Sequence, residues 1–236
     1  MGQVPHYLMI GDGRLARHMA FYFSHLGLSY HTWSRRSHNI STLPESITKA
    51  THILLLIADD AIPAFIENHL LNTEKIIVHF SGSLMTPHAY SAHPLMSFTE
   101  NLYTPEIYQN IWFIIEKEGL AFSEILPGLP NQHAAIPRCD KPLYHSLCVL
   151  SSNFTCLLWQ KLFDTLATQW QIPPEAAHPI LQQVMHNLMH DYKSALTGPL
   201  VRNDLKTITH NLQALENDPY QDVYQAFVKA YQQEKP

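Results

Sequence analysis

The 236-residue chain has little glycine, with eight, little cysteine, with three, and little charge, with Asp, Glu, Lys and Arg together at 15%. Cys139, Cys148 and Cys156 make an odd count without C-x-x-C spacing. That favours reduced thiols in a cytoplasmic protein over a disulfide frame or a paired-cysteine zinc site. Fifteen Lys and Arg against twenty Asp and Glu leave a net charge of −5. The cations never cluster beyond Arg35-Arg36, so no nucleic-acid surface is expected. No apolar run reaches the ~20 residues of a membrane span. The longest uncharged stretch, 143–160, carries His145, Ser151, Ser152 and Asn153 in its middle. The start MGQVPHY lacks the basic segment of a secretory signal. Sixteen histidines raise the question of a metal. His186 and His190 share a helical face, but the segment between them lacks the glutamate of a zinc-protease motif, and no metal is expected.

With glycine at half its usual ~7%, its placement is informative. The apolar run Tyr7-Leu8-Met9-Ile10 leads into Gly11-Asp12-Gly13-Arg14-Leu15-Ala16, a G-x-G-x-x-A pattern. In a dinucleotide-binding strand–turn–helix unit, Gly11 allows the tight turn and Gly13 lets backbone approach a pyrophosphate. Ala16 keeps helix close to strand. The helix start aims its free N–H groups at the phosphates. Glycine also serves ordinary turns; the strand before and the amphipathic helix after favour the nucleotide site.

A second strand over 29–33 ends in Ser34-Arg35-Arg36. An NAD site usually carries an acid there to hold the ribose 2′-OH. A hydroxyl and two guanidinium groups suit a 2′-phosphate instead, and so NADP; the alternative is a solvated loop. Ile57, Ala58 and Asp59 sit at the C-terminal end of a third strand over 53–57, where ligands of open α/β sheets bind. Asp60 reads as the N-cap of the next helix. Ser81 and Gly82 follow a fourth strand over 76–80 and suit the nicotinamide ribose. His93, in Ala-His-Pro-Leu, has two readings: an imidazole that protonates substrate near neutral pH, or a ring bonded to backbone before a turn.

Strands and helices alternate up to Pro137, with a further strand over 111–115, which predicts a doubly wound parallel sheet. Beyond it the pattern is helical: one long helix over 143–170, another over 176–196 with Pro179 in its first turn, then two near 205–215 and 223–231. The expected organisation is an α/β Rossmann-like NAD(P)-binding domain, 1–137, and an all-α domain, 138–236. The patch Ser151-Ser152-Asn153-Phe154-Thr155 either faces a ligand cleft or satisfies itself at a helix interface. Within Thr197-Gly198-Pro199-Leu200-Val201-Arg202-Asn203-Asp204, Thr197 and Arg202 are candidates to hold an anionic substrate, and Asp204 to cap the next helix.

The segments IGDGRLA, LLLIADDAI, VHFSGSL, SAHPLMSF and ALTGPLVRNDLKTITHNLQAL give the chain a resemblance along nearly its whole length. It resembles the Rossmann-like proteins with a C-terminal helical domain of unknown function. These are relatives of pyrroline-5-carboxylate reductase, ketopantoate reductase and the 6-phosphogluconate and β-hydroxyacid dehydrogenases. TGP-x-x-R-x-D and the SG…HP pair are its distinctive elements. The resemblance implies NAD(P) binding and a homodimer formed through the helical domain. Related dehydrogenases place a lysine or asparagine on the first long helix of the second domain, and Asn153 answers to it here. The expected activity is NADP-dependent hydride transfer to or from a small carbonyl or imine compound between the domains, with His93 and Asn153 as polar partners. A non-catalytic NADP-binding sensor or assembly protein is the alternative, because no recognisable acid–base constellation stands out.

Overall fold

The central strands form from apolar runs because both of their faces are covered. In the computed structural model, which describes residues 4–234, seven strands form one sheet. They are β1 (His6–Ile10), β2 (Ser29–Trp33), β3 (His52–Leu55), β4 (Ile76–His79), β5 (Tyr90–Pro94), β6 (Phe113–Glu116) and β7 (His133–Ile136). Their spatial order is β2-β1-β3-β4-β5-β6-β7. The few residues outside the described range are the first and last of the two expected domains. All neighbouring strands run parallel except β5 and β6, which are antiparallel with His93 opposite Ile114. The sheet is thus the expected doubly wound one, with one reversed pair.

Side chains alternate between two cores. Tyr7, Met9, Leu54 and Val78 pack on one side with Met19, Tyr22 and Phe23 of α1 (Arg14–His25). Leu8, Ile10, Ile53 and Leu55 pack on the other. There they meet Leu43, the first residue of α2 (Leu43–Lys49), and Ile62 and Ile66 of α3 (Ile62–His69). Full burial of each such side chain contributes about 1.5–3 kcal/mol. α1 ends where Gly27 takes φ +68°, the left-handed conformation that stops helices without a Cβ penalty.

Strand order is what creates a site. β2 lies on one side of β1 and β3 on the other. The chain reverses direction across β1 and leaves a crevice beyond the C-terminal ends of β1 and β3. β5 and β7 are not expected from sequence. Tyr90–Pro94 holds Ser91, His93 and a proline, and β7 is a half-exposed edge, so neither has the apolar run of a central strand. The short helices α4 (Pro105–Gln109) and α5 (Phe122–Ile125) flank β6.

By its contacts the chain divides into two compact units, Met1–Leu157 and Leu158–Pro236. The helix expected over 143–170 is interrupted: α6 (Lys141–Val149) passes through a π-helical turn, Leu150–Phe154, into α7 (Thr155–Gln169). The second unit adds α8 (His178–His190), with Pro179 in its first turn, α9 (Leu205–Ala214) and α10 (Tyr220–Glu234). Asp204 caps α9 by accepting from the Thr207 N–H at 3.1 Å. Lys161 pairs with Asp218 at 2.5 Å. Among the described residues no helix is long and apolar enough to cross a membrane.

Candidate functional site

The crevice is framed by backbone. The Gly11 N–H donates to Trp33 O at 2.9 Å, and the Leu56 N–H to Ile10 O at 2.8 Å. The three strand ends are therefore tied together up to the turn. Gly11 has φ +131°, and a Cβ there would overlap the Leu56 carbonyl; only glycine fits. Gly13 differs. It is the extended N-cap of α1 with no side-chain cap, and a Cβ on it would meet nothing within 4 Å. No contact within the chain requires glycine there, so the space it leaves is open. The first N–H groups of α1, from Arg14 onward, face that space without intrahelical partners. Leu15 and Ala16 pack on the core.

On one side of the turn lies a groove of about 370 Å³ lined by Gly11, Asp12, Ser34, Arg35, Arg36 and Ile57 among others. Ser34 is buried, and its Oγ has no hydrogen-bond partner. A buried, unpartnered hydroxyl is uncommon and suits a ligand oxygen. The Arg36 Nε stands 3.6 Å from the Asp12 carboxylate, so the acid inside the glycine turn is balanced locally. The sequence-chosen Ser34-Arg35-Arg36 cluster and the Gly11-Asp12 turn thus share one groove.

On the other side lies a cavity of about 980 Å³. Gly13, Arg14, Leu15, Ile57 and Ala58 form its near wall. The segment Leu95 to Phe98, with Tyr144, His145 and Leu147 of α6, forms the far one. Ser151, Ser152 and Asn153 line it from the π-helical turn, a distortion frequent at functional sites. Three of the five residues of the polar patch thus line a cavity, while Ser152 also donates to the Cys148 carbonyl at 2.7 Å. Ser152 Oγ lies 2.7 Å from Asn153 Oδ1.

His93 also lines the cavity. Its Nδ1 is 2.7 Å from the Tyr144 hydroxyl, and its ring meets that of His145 edge-on at 5.4 Å between centroids. Burial lowers the His93 pKa to about 4, helped by the positive fields of His145 and Lys141. This corrects the expectation of an imidazole titrating near neutrality: His93 is neutral at pH 7. Burial pushes the Tyr144 phenol up, so both members of the pair are uncharged.

Asp59, Ser81 and Gly82 line neither the groove nor the cavity. The Ser81 hydroxyl donates to the Asp59 carboxylate and accepts from the Leu84 N–H at 3.0 Å, bracing the loop after β4 against that after β3. A Cβ on Gly82 would overlap the His145 ring, so this glycine makes room for a cavity side chain. Asp60 does not cap a helix: Ala58 precedes the 3₁₀ turn Asp59–Ala61, and α3 follows without a side-chain cap. Thr197 and Arg202 lie in the second unit between α8 and α9, both exposed. His186 and His190 stack with centroids 6.2 Å apart.

Sequence reasoning missed Tyr144, His145 and the ion cluster behind them. Lys141, buried at the start of α6, donates to Glu116 at 2.9 Å and to the Leu84 carbonyl. Arg138 donates to the same buried carboxylate at 2.7 Å. The cluster pins α6 to β6 and to the loop after β4. A lysine beside Pro142 reads as an ordinary helix start, and only the tertiary contact reveals it.

Comparison with known proteins adds a partial family match and a fold. The family described as a domain of unknown function (DUF2520) matches residues 115–231. No curated protein matches the chain. A candidate NADP oxidoreductase from Bacteroides fragilis is similar over 98% of both chains, at 20% identity and a TM-score of 0.76. A Thermotoga maritima protein is similar at 25% identity and a TM-score of 0.69, over 96% of this chain and 97% of its own. The Plasmodium falciparum pyrroline carboxylate reductase, solved with NADP bound, is similar at 14% identity and a TM-score of 0.59, over 96% of both. The resemblance drawn from sequence holds: a Rossmann-like sheet is followed by a helical region, and the domain of unknown function matches from within β6 through that region.

Proposed function

We propose that the protein is an NADP-dependent oxidoreductase acting on a small carbonyl or imine compound. The observation that carries this is the pair of spaces flanking the Gly11–Gly13 turn: a cationic groove holding an unpartnered hydroxyl, and a cavity holding a neutral His–Tyr pair. The residues present fit the dinucleotide. Ser34, Arg35 and Arg36 would hold the 2′-phosphate, and the Gly11 to Ala16 backbone the pyrophosphate. Ile57 and Ala58 would line its path, with Asp59, Ser81 and Gly82 supporting that wall. When bound, the cofactor supplies the hydride. Tyr144, held by His93, presents its hydroxyl to the substrate oxygen or nitrogen, which takes a proton as the neighbouring carbon is reduced. Asn153 is a further polar partner. The likeness to an NADP-bound reductase supports the same reading.

The expected domains, 1–137 and 138–236, remain part of this proposal, and Thr197 and Arg202 remain residues of the second unit that would hold an anionic group. So does a homodimer through the helical domain. Among the described residues of the second unit, Ala177 and Ile208 are the buried apolar ones, whereas Ile180, Leu188, Met189 and Phe227 are exposed. Such surface favours association; sedimentation that finds only monomer removes this part. The three free cysteines suit a reducing cytoplasm.

The test is titration with NADPH and NADH. NADPH should bind at least about a hundredfold more tightly than NADH, and Arg35→Ala with Arg36→Ala should abolish that preference, since two charge-assisted bonds contribute about 1.5–3 kcal/mol each. Absence of binding by both cofactors at millimolar concentration would sink the proposal.

A further inference from the structure

Resting on the oxidoreductase reading, we propose that the cavity selects a neutral, apolar carbonyl or imine compound and rejects carboxylate-bearing analogues of the same shape. Its walls are apolar: Leu56, Leu95, Met96, Phe98, Leu147 and Val149. Of these, Leu95, Met96 and Leu147 are exposed, a surface that a nonpolar ligand would cover. The polar side chains lining it are the imidazoles, one phenol, one thiol, one amide and serine hydroxyls.

Among the described lining residues Arg14 is the one cation, and it is engaged elsewhere. Its Nη1 donates to the Phe98 carbonyl at 3.5 Å, and its Nε stands 3.7 Å from the Glu100 carboxylate. Lys141 lies behind the wall, fixed to Glu116 and the Leu84 carbonyl. A carboxylate entering the cavity would lose water and, among the described lining residues, find no buried cation in return, only the exposed Arg14 beside Glu100. A neutral oxygen or nitrogen meets the Tyr144 hydroxyl and leaves nothing charged behind.

Two near-isosteric pairs test this with NADPH and the full chain: 2-methyl-1-pyrroline against 1-pyrroline-2-carboxylate, and 1-phenylpropane-1,2-dione against phenylglyoxylate. The neutral member should have the higher kcat/KM by at least about tenfold in each. A carboxylate member turned over equally well or better overturns the inference while leaving the oxidoreductase reading intact. If NADPH binds but nothing turns over, the oxidoreductase reading fails separately. The cavity is then read by calorimetry on NADP-saturated protein: acetophenone should bind and benzoate should not. Benzoate binding as tightly, or no binding of acetophenone, overturns the inference. Leu147→Lys should move both comparisons toward the carboxylate.

Discussion

The groove beside β2 and the cavity beside β5 share one turn and little else. The groove is small and cationic, its charge set by the consecutive residues Ser34, Arg35 and Arg36 against Asp12, with Ala64, Phe65 and Asn68 of α3 along its wall. The cavity is larger and uncharged apart from Arg14, built from β5, α6, the π-helical turn and a loop far apart in sequence. The difference separates two tasks. Holding a phosphate takes exposed charge and free backbone donors, which short segments provide. Presenting a neutral proton donor takes burial, which only packing provides.

The largest effect should come from the shared turn. Gly11→Ala forces β1 and β3 apart at their ends and should weaken NADPH binding more than about a hundredfold while lowering the thermal midpoint. Gly13→Ala, with no clash inside the chain, should weaken binding and leave the midpoint within a degree or so; calorimetry and thermal melts separate the two. If both behave alike, the open space at Gly13 is not a ligand's.

Next is the cavity wall. Lys141→Met leaves the Glu116 carboxylate buried with only the half-exposed Arg138 beside it. Removing one partner of a buried pair costs about 3–5 kcal/mol, readable as a shift in the urea midpoint. Adding Glu116→Leu should restore much of it. An unchanged midpoint in the single variant would show that α6 is not held by this cluster.

Tyr144→Phe removes the proposed donor and keeps the ring. Turnover should fall by about a hundredfold, and NADPH affinity should stay within twofold. Equal loss of both would erase the division between groove and cavity.

The smallest effect concerns pH. Burial holds His93 near a pKa of about 4 and His79, fully buried without a partner on either ring nitrogen, near about 3. Both lie below the ordinary 6.5, so the unfolded chain binds more protons in that interval. Stability is present above pH 6.5 and falls as pH drops toward 4, by about 1.4 kcal/mol per pH unit for each histidine. His79→Leu should halve that slope in chemical unfolding at stepped pH. A slope that does not change would place the acid sensitivity elsewhere.

Much of this molecule was legible in one dimension. β1, β2, α1 and the Gly27 stop follow from apolar runs, helical spacing and glycine, and the groove lies where the G-x-G turn and the Ser34-Arg35-Arg36 segment put it. Strand ends slipped by a few residues, as at 53–57 against His52–Leu55. β5 was missed because a strand sheltered by its neighbours can carry Ser91 and His93 without an apolar pattern. His93 was marked by its motif, but its protonation was misjudged, since a pKa depends on burial that no motif encodes.

By itself the sequence determined the first four strands, α1, the glycine turn and the cations beside it, because these rest on apolar runs and on interactions between near neighbours. The tertiary structure decided the antiparallel β5–β6 pair, the partnership of His93 with Tyr144 fifty-one residues away, and the Lys141–Glu116 pin. Those interactions join segments that only the packed sheet brings within a few ångströms, and their strength comes from the water that packing removes.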